Sequence, residues 1–297
     1  IEKIRATGRD TETLDTCYII DKNRVLEGEI PLRTLILSNA TDIIGDIMNP
    51  RVKYLKTHED QEEAALAFRE YDFFIMPVVD EEKRLVGIVT VDDVIDILDM
   101  ETTEDIQKMA AMAPSEEEYL KSSPFKLAMQ RIPWLMVLMI SATFTGRIIG
   151  RYENALNSMM ILAAFIPMIM DTGGNSGSQS STLIIRGLAL GEIKTGDALK
   201  ILAKEFAVSL IAGSLLSVLN FLRLYFFEKA GFLVSVTVSA TILFTVILSK
   251  IVGAMLPIVA KKLKMDPAIM AGPLITTIVD SISLVIYFQV ATMLLHL

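Results

Sequence analysis

The chain has 297 residues, 52% of them hydrophobic and 22% charged, with a formal net charge of −8. An acidic balance without a basic patch excludes nucleic acid as a partner. The single cysteine, Cys17, excludes an intramolecular disulfide framework, and His58 and His296 stand alone, without the partners an imidazole metal site needs.

Most of the charge lies in residues 1–131, whereas residues 132–297 are dominated by long apolar runs, so two domains of different solvent class are expected. The chain starts at Ile1 and shows no signal peptide, and it is expected to be a fragment of a longer protein. Its acidic half repeats itself at an offset of 59 residues without a gap. Ile20-Asp21 matches Val79-Asp80, Leu26 matches Leu85, Gly28 matches Gly87, Ile30 matches Val89, and Leu35-Ile36 matches Val94-Ile95. Each copy reads as strand, polar turn, strand, helix. In the second copy Phe74–Val79 and Leu85–Thr90 are the strands and Val91–Leu98 the helix, preceded by a helix at Glu59–Tyr71. The first copy lacks its opening strand, as a truncated module would.

The run Leu85-Val86-Gly87-Ile88-Val89-Thr90-Val91-Asp92-Asp93 resembles the signature of CBS modules. The resemblance implies an α+β CBS pair over residues 1–100, with the second module at about 46–100 and the first truncated. It also implies that Thr90 and Asp93 hold the ribose of ATP or another adenine nucleotide. The residues themselves equally support a simpler role, with Thr90 capping the helix and Asp93 complementing its dipole. Pro31-Leu32-Arg33 stands in the first copy where the Thr region belongs, so at most one such site is expected.

From Asp92 to Glu118 there are ten acids (Asp92, Asp93, Asp96, Asp99, Glu101, Glu104, Asp105, Glu116, Glu117, Glu118) against one base, Lys108. Asp92, Asp96 and Asp99 follow helical spacing, and Glu101, Glu104 and Asp105 extend the acidic stretch toward the membrane half. Residues 101–131 therefore read as an acidic linker and gating helix. Asp93, Asp96, Glu101, Glu104 and Asp105 of the acidic stretch are candidate ligands of a divalent cation.

An all-α transmembrane domain of five helices is expected over residues 132–297, since a spanning helix needs about 20 mostly apolar residues. The spans are Ile132–Gly150, Ala155–Met170 continuing past a glycine break to Ile185, Phe206–Phe227, Phe232–Val259 and Ile269–Leu295. With the N-terminus inside, ten Lys and Arg flank the inner ends of the spans and four the outer ends. The excess predicts a plasma-membrane protein with its N-terminus cytoplasmic and its C-terminus outside.

Two features break the apolar pattern. Asp171-Thr172-Gly173-Gly174-Asn175-Ser176-Gly177-Ser178-Gln179 places glycines and small polar residues inside a membrane-length segment. A broken helix with free carbonyls lining an ion path is expected there, with Gly173, Gly174, Asn175 and Ser178 facing the path. The alternative is close helix packing through small residues. Asp280 is a carboxylate well inside the last span, a functional candidate by default, and Thr276 and Ser283 share its face. Lys250 is the one basic residue that could neutralise it. The donors are oxygen only, which suits a hard cation such as Mg²⁺ that keeps several waters and touches one or two carboxylates. Two copies across a dimer axis would pair the Asp280 carboxylates.

The run Thr172–Arg186, together with Asp266-Pro267-Ala268 and Asp280, resembles the MgtE magnesium transporters. The resemblance implies a homodimeric Mg²⁺ channel in membrane lipid, with Mg²⁺ as substrate and regulator and no enzymatic activity. It implies that Asp280 selects the ion and Asp266 lies at the cytoplasmic mouth. Asp171 adds charge where some members carry a small neutral residue, and Gly272 and Ser178 stand where some carry Asn. The acidic N-terminal domain usual in that family is not expected within this sequence. A proton- or Na⁺-coupled carrier and a membrane-anchored nucleotide sensor are the competing readings.

Overall fold

The computed structural model of the protein describes residues 1–115 and 117–297. The chain divides into two compact units, Ile1–Glu101 and Thr102–Leu297.

The first unit begins with α1 (Glu2–Thr7), then β1 (Thr16–Ile20), β2 (Leu26–Pro31), α2 (Leu32–Leu37) and α3 (Ile44–Ile47). It continues with β3 (Leu55–Lys56), α4 (Gln61–Tyr71), β4 (Ile75–Val79), β5 (Leu85–Thr90) and the start of α5 (Val91–Met109). The sequence repeat maps strand for strand, β1 onto β4 and β2 onto β5. The turns repeat as well, for a chemical reason. Asp21 Oδ1 accepts from the amides of Asn23 and Val25 at 2.7 and 2.8 Å, and Asp80 Oδ1 does the same for Glu82 and Arg84 at 3.0 and 2.8 Å. A short side-chain acceptor satisfies the turn amides, so Arg24 and Lys83 hold matching positive φ values of 69° and 60°.

The two turns then pair with each other. The Leu26 amide donates to the Lys83 carbonyl at 2.9 Å, and the Leu85 amide to the Arg24 carbonyl at 2.8 Å. This reciprocal exchange relates the copies by a local two-fold. Among the described residues, the first sheet has the order β1-β2 and the second β3-β4-β5, with β3 and β4 parallel and the other pairs antiparallel. The α4 residues Ala64, Ala65 and Phe68 bury against Leu55, Met76 and Val94 to form the core of the second copy.

The second unit is helical. The last turns of α5 lead into α6 (Pro124–Arg151), α7 (Glu153–Ser158), a 3₁₀ segment (Met160–Phe165) and α8 (Ile166–Ala189). There follow α9 (Ala198–Leu222), a π-helical turn (Arg223–Phe227), α10 (Phe232–Lys262), a 3₁₀ turn (Pro267–Met270) and α11 (Pro273–Leu295). By length and composition, four helical segments among the described residues are apolar enough to cross a membrane: Pro124–Arg151, Thr195–Phe227, Phe232–Lys262 and Pro267–Leu295. Five were expected. The remaining one, α8, has 24 residues, enough to span at 1.5 Å each, but its polar run from Asp171 to Thr182 lowers its hydropathy.

The direction of each helix follows from its contacts. Ile169 clusters with Val238 and Leu284, whereas Ile184 clusters with Ala254 and Ile258, and Ile185 with Ala268 and Ala271. Thus α8 runs parallel to α10 and antiparallel to α11. Ser217 on α9 donates to the Ser239 carbonyl at 2.7 Å, while Ile201 packs with Ile258, so α9 runs antiparallel to α10.

One expectation is overturned here. The chain does not break at the glycines: α8 is continuous through Gly173, Gly174 and Gly177, and the irregular backbone lies before it, at Met159 (φ −146°, ψ 81°) and the 3₁₀ segment. The glycines serve close approach instead. A Cβ on Gly253 of α10 would overlap the Gly177 backbone, and a Cβ on Gly177 would lie 2.8 Å from Ile275 Cγ2. A Cβ on Gly173 would lie 2.7 Å from Ser283 Oγ and 2.9 Å from Thr245 Cγ2. The α8 backbone thus meets the α10 backbone directly and α11 side chains closely where side chains of its own are missing.

Candidate functional site

Asp280 sits on α11 against this glycine seam. A Cβ on Gly174 would lie 3.0 Å from Thr276 Cγ2 and 3.7 Å from Asp280 Oδ1. Gly174 therefore lets α8 come up to the carboxylate. Asp280 is half-buried and, among the described residues, forms no hydrogen bond or ion pair. Asp171 stands three residues before Gly174 and so shares its face of α8, a second carboxylate on this side. Asn175 Nδ2 donates to Asp171 Oδ1 at 3.0 Å, and Ser178 falls on the same face of α8 by i, i+4, i+7 spacing. Asp171, Gly174, Asn175, Ser178, Thr276 and Asp280 are thus brought to one seam, whereas Gly173 is packed away against Ser283 and Val279.

The hydroxyl stripe of α11 is less free than its spacing suggests. Thr276 and Thr277 both donate to the Pro273 carbonyl at 2.9 Å, and Ser281 donates to Thr277 at 3.1 Å. Each hydroxyl proton is spent on the helix itself, which leaves only oxygen lone pairs toward a ligand. Among the described residues no group of three or more His, Cys, Asp or Glu is placed to hold a metal ion. A single chain therefore presents a sparse site of one unpaired carboxylate and its neighbour.

Lys250 does not neutralise Asp280, contrary to the one pairing open in the sequence. Its Nζ lies 3.5 Å from Ser180 Oγ, which donates to Glu205 Oε2 at 2.6 Å. Glu205 lies just before the third span expected from apolar length, which begins at Phe206, whereas α9 starts at Ala198. The signal was present: Ile201, Glu205, Ser209 and Gly213 recur every fourth residue and form the buried face of α9.

At the other end of α11, Asp266 caps the 3₁₀ turn by accepting from the Ala268 amide at 2.8 Å and pairs with Lys108 of α5 at 2.5 Å. Lys108 also pairs with Glu104. Burial alone would lower the Lys108 pKa, but the hydrogen bonds to Asp266 and Glu104 outweigh it and raise it well above the ordinary lysine value. Next to this pair, Gly272 holds φ +47° and a Cβ there would overlap the Met109 carbonyl. The base that sequence reading counted against ten acids is thus the residue that ties the end of α5 to the start of α11.

The other acids lie along α5. Glu101 accepts from Gln61, and Asp93 Oδ2 accepts from the Thr90 hydroxyl at 2.9 Å and the Thr90 amide at 3.2 Å. Thr90 and Asp93 satisfy each other at the helix start, which is the capping role. Asp96 is exposed, Asp105 has bonded partners, and Glu116 lies outside the described residues.

Residues 166–290, which comprise α8, α9, α10 and most of α11, match the MgtE family, described as a divalent cation transporter. These helices are similar to the MgtE domain. Residues 44–99 match the CBS domain. The chain is 40% identical over 293 residues to the magnesium transporter MgtE of Thermus thermophilus, covering 99% of this chain and 65% of that relative. It is 36% identical over 296 residues to the magnesium transporter MgtE of Bacillus subtilis, covering 100% of this chain and 65% of that relative. The chain thus spans 65% of the length of these curated relatives. A crystal structure of the cytosolic domain of the Mg²⁺ channel MgtE in complex with ATP is 47% identical over 32% of this chain and 39% of its own, with a TM-score of 0.32.

Proposed function

We propose that this protein is a Mg²⁺-selective channel of the plasma membrane that works as a homodimer and closes when cytoplasmic Mg²⁺ is high. The observation that carries the reading is Asp280, an unpaired carboxylate held against the glycine seam with Asp171 on the same side of α8. An unpaired intramembrane carboxylate is costly, and a passing cation is what relieves the cost. The likeness to proteins named magnesium transporters supports Mg²⁺ as that cation. One carboxylate per chain suits a symmetric pair in a dimer, and none of the described residues of α6 is buried, which leaves an apolar face for lipid or a second copy. Gly174→Leu in a folded protein should cut Mg²⁺ uptake into proteoliposomes at least about tenfold, because the side chain fills the space beside Asp280. Normal uptake by Gly174→Leu would show that this side of α8 is packing only.

Closure rests on charge. Without bound cations the acids of α5 repel one another, and Mg²⁺ bound to them favours the state in which α5 rests at the mouth near Asp266. Lys108 supplies part of that attraction by itself. Neutralising Asp93, Asp96, Glu101, Glu104 and Asp105 together should weaken Mg²⁺-dependent protection of the linker from proteolysis and keep the channel open at Mg²⁺ concentrations that close the wild type. Unchanged Mg²⁺ dependence in that variant would remove these acids as the sensor. An adenine nucleotide at Thr90 and Asp93 would have to replace the bonds those residues make to each other.

A further inference from the structure

Glu205, Ser180 and Lys250 lie on three different helices, α9, α8 and α10, and only 9%, 1% and 6% of their surfaces are exposed. They share one hydroxyl, which donates to the Glu205 carboxylate at 2.6 Å and faces the Lys250 ammonium at 3.5 Å. We infer that this buried charge pair, joined through Ser180, is a clamp that fixes the height of α8 and thereby positions Gly174 and Asp171 against Asp280. The inference deepens the transport reading and rests on it for its functional part.

Helices that meet through glycine have little to key them together. The α8–α10 contact at Gly177 and Gly253 is backbone against backbone, and the α8–α11 contact at Gly173, Gly174 and Gly177 is backbone against side chains. Such smooth seams resist sliding weakly. Ser180 and Lys250 each lie three residues from the glycine of their own helix in that contact, so the polar joint sits next to the smooth one. A slip by one helical turn, about 5.4 Å, would break the hydroxyl bridge and leave two buried charges unpartnered. Fixing register is the best-attested use of a buried polar or ionic group.

The test compares Glu205→Gln, Lys250→Met, the double variant and Ser180→Ala in full-length protein. It reads thermal stability in detergent and Mg²⁺ uptake by proteoliposomes, with Ca²⁺ and K⁺ as competing ions. Each single charge removal should lower the melting temperature, and the double should recover most of the loss, because no lone charge remains. Each single variant should lose discrimination of Mg²⁺ over Ca²⁺ by at least about tenfold, since a small misplacement at a reacting site costs that much or more. Ser180→Ala removes the bridge and leaves both charges buried without it, so it should lose both stability and discrimination. Independent, additive stability losses would overturn the clamp. Coupled stabilities with unchanged discrimination would overturn its positioning role. If wild-type protein passes no Mg²⁺, the transport reading fails instead, and the stability coupling alone decides whether the clamp exists.

Discussion

Asp280→Asn should abolish Mg²⁺ selectivity while leaving the fold intact. The two side chains have nearly the same volume, so the α8–α11 seam is not asked to repack. The charge, however, is lost at the one position where α8 closes to backbone distance from a half-buried, unpaired carboxylate. Removing the charge also removes the cost of an unpaired intramembrane carboxylate, so stability should hold or rise. The ion loses its main source of attraction in a medium of low dielectric, where charge interactions are worth several-fold more than in water. A loss of Mg²⁺ flux or discrimination of about a hundredfold or more is expected. The check is uptake by proteoliposomes at matched protein content, with the melting temperature measured in parallel. Wild-type discrimination by a folded Asp280→Asn protein would mean that the ion path lies elsewhere.

Gly253→Val should have the largest effect on the fold. A Cβ on Gly253 overlaps the carbonyl and Cα of Gly177, and neither can rotate away as a side chain could. Overpacking a core costs about 1–3 kcal/mol where side chains can shift, and more where backbone must move. Parting α8 from α10 would also strain the Glu205–Ser180–Lys250 joint. The variant should be recovered mainly as aggregated or protease-sensitive protein, with any folded fraction melting well below wild type. Gly253→Val with a wild-type melting temperature would show that the α8–α10 contact is looser than described.

The repeat in the first unit was legible because its marks are local: an Asp acceptor in each turn, β-branched strands and a fixed offset. The exchange of hydrogen bonds between the turns at Arg24 and Lys83 could not be read, since it joins Leu26 to Lys83 and Leu85 to Arg24, far apart in sequence. In the second unit, apolar length predicts five spans, of which four are apolar enough to cross a membrane among the described residues, and Asp171, Asn175 and Asp280 stand out as polar residues among apolar ones. The glycines of α8 were ambiguous in principle. A lone sequence shows that Gly lacks a Cβ but not whether the freed space holds carbonyls or a neighbouring backbone, and here it holds Gly253 and Ile275. Glu205 was hidden by its place at a span boundary. The partners of Lys108 were hidden by distance, because Asp266 lies 158 residues away.

The most direct measurement is Mg²⁺ entry into liposomes that contain the full chain, driven by an inside-negative membrane potential with no proton or Na⁺ gradient. A channel in which Asp280 attracts the ion predicts uptake that rises with the potential alone and disappears in Asp280→Asn. Uptake that occurs only when a proton or Na⁺ gradient is imposed would contradict conduction and make Asp280 the coupling site of a carrier.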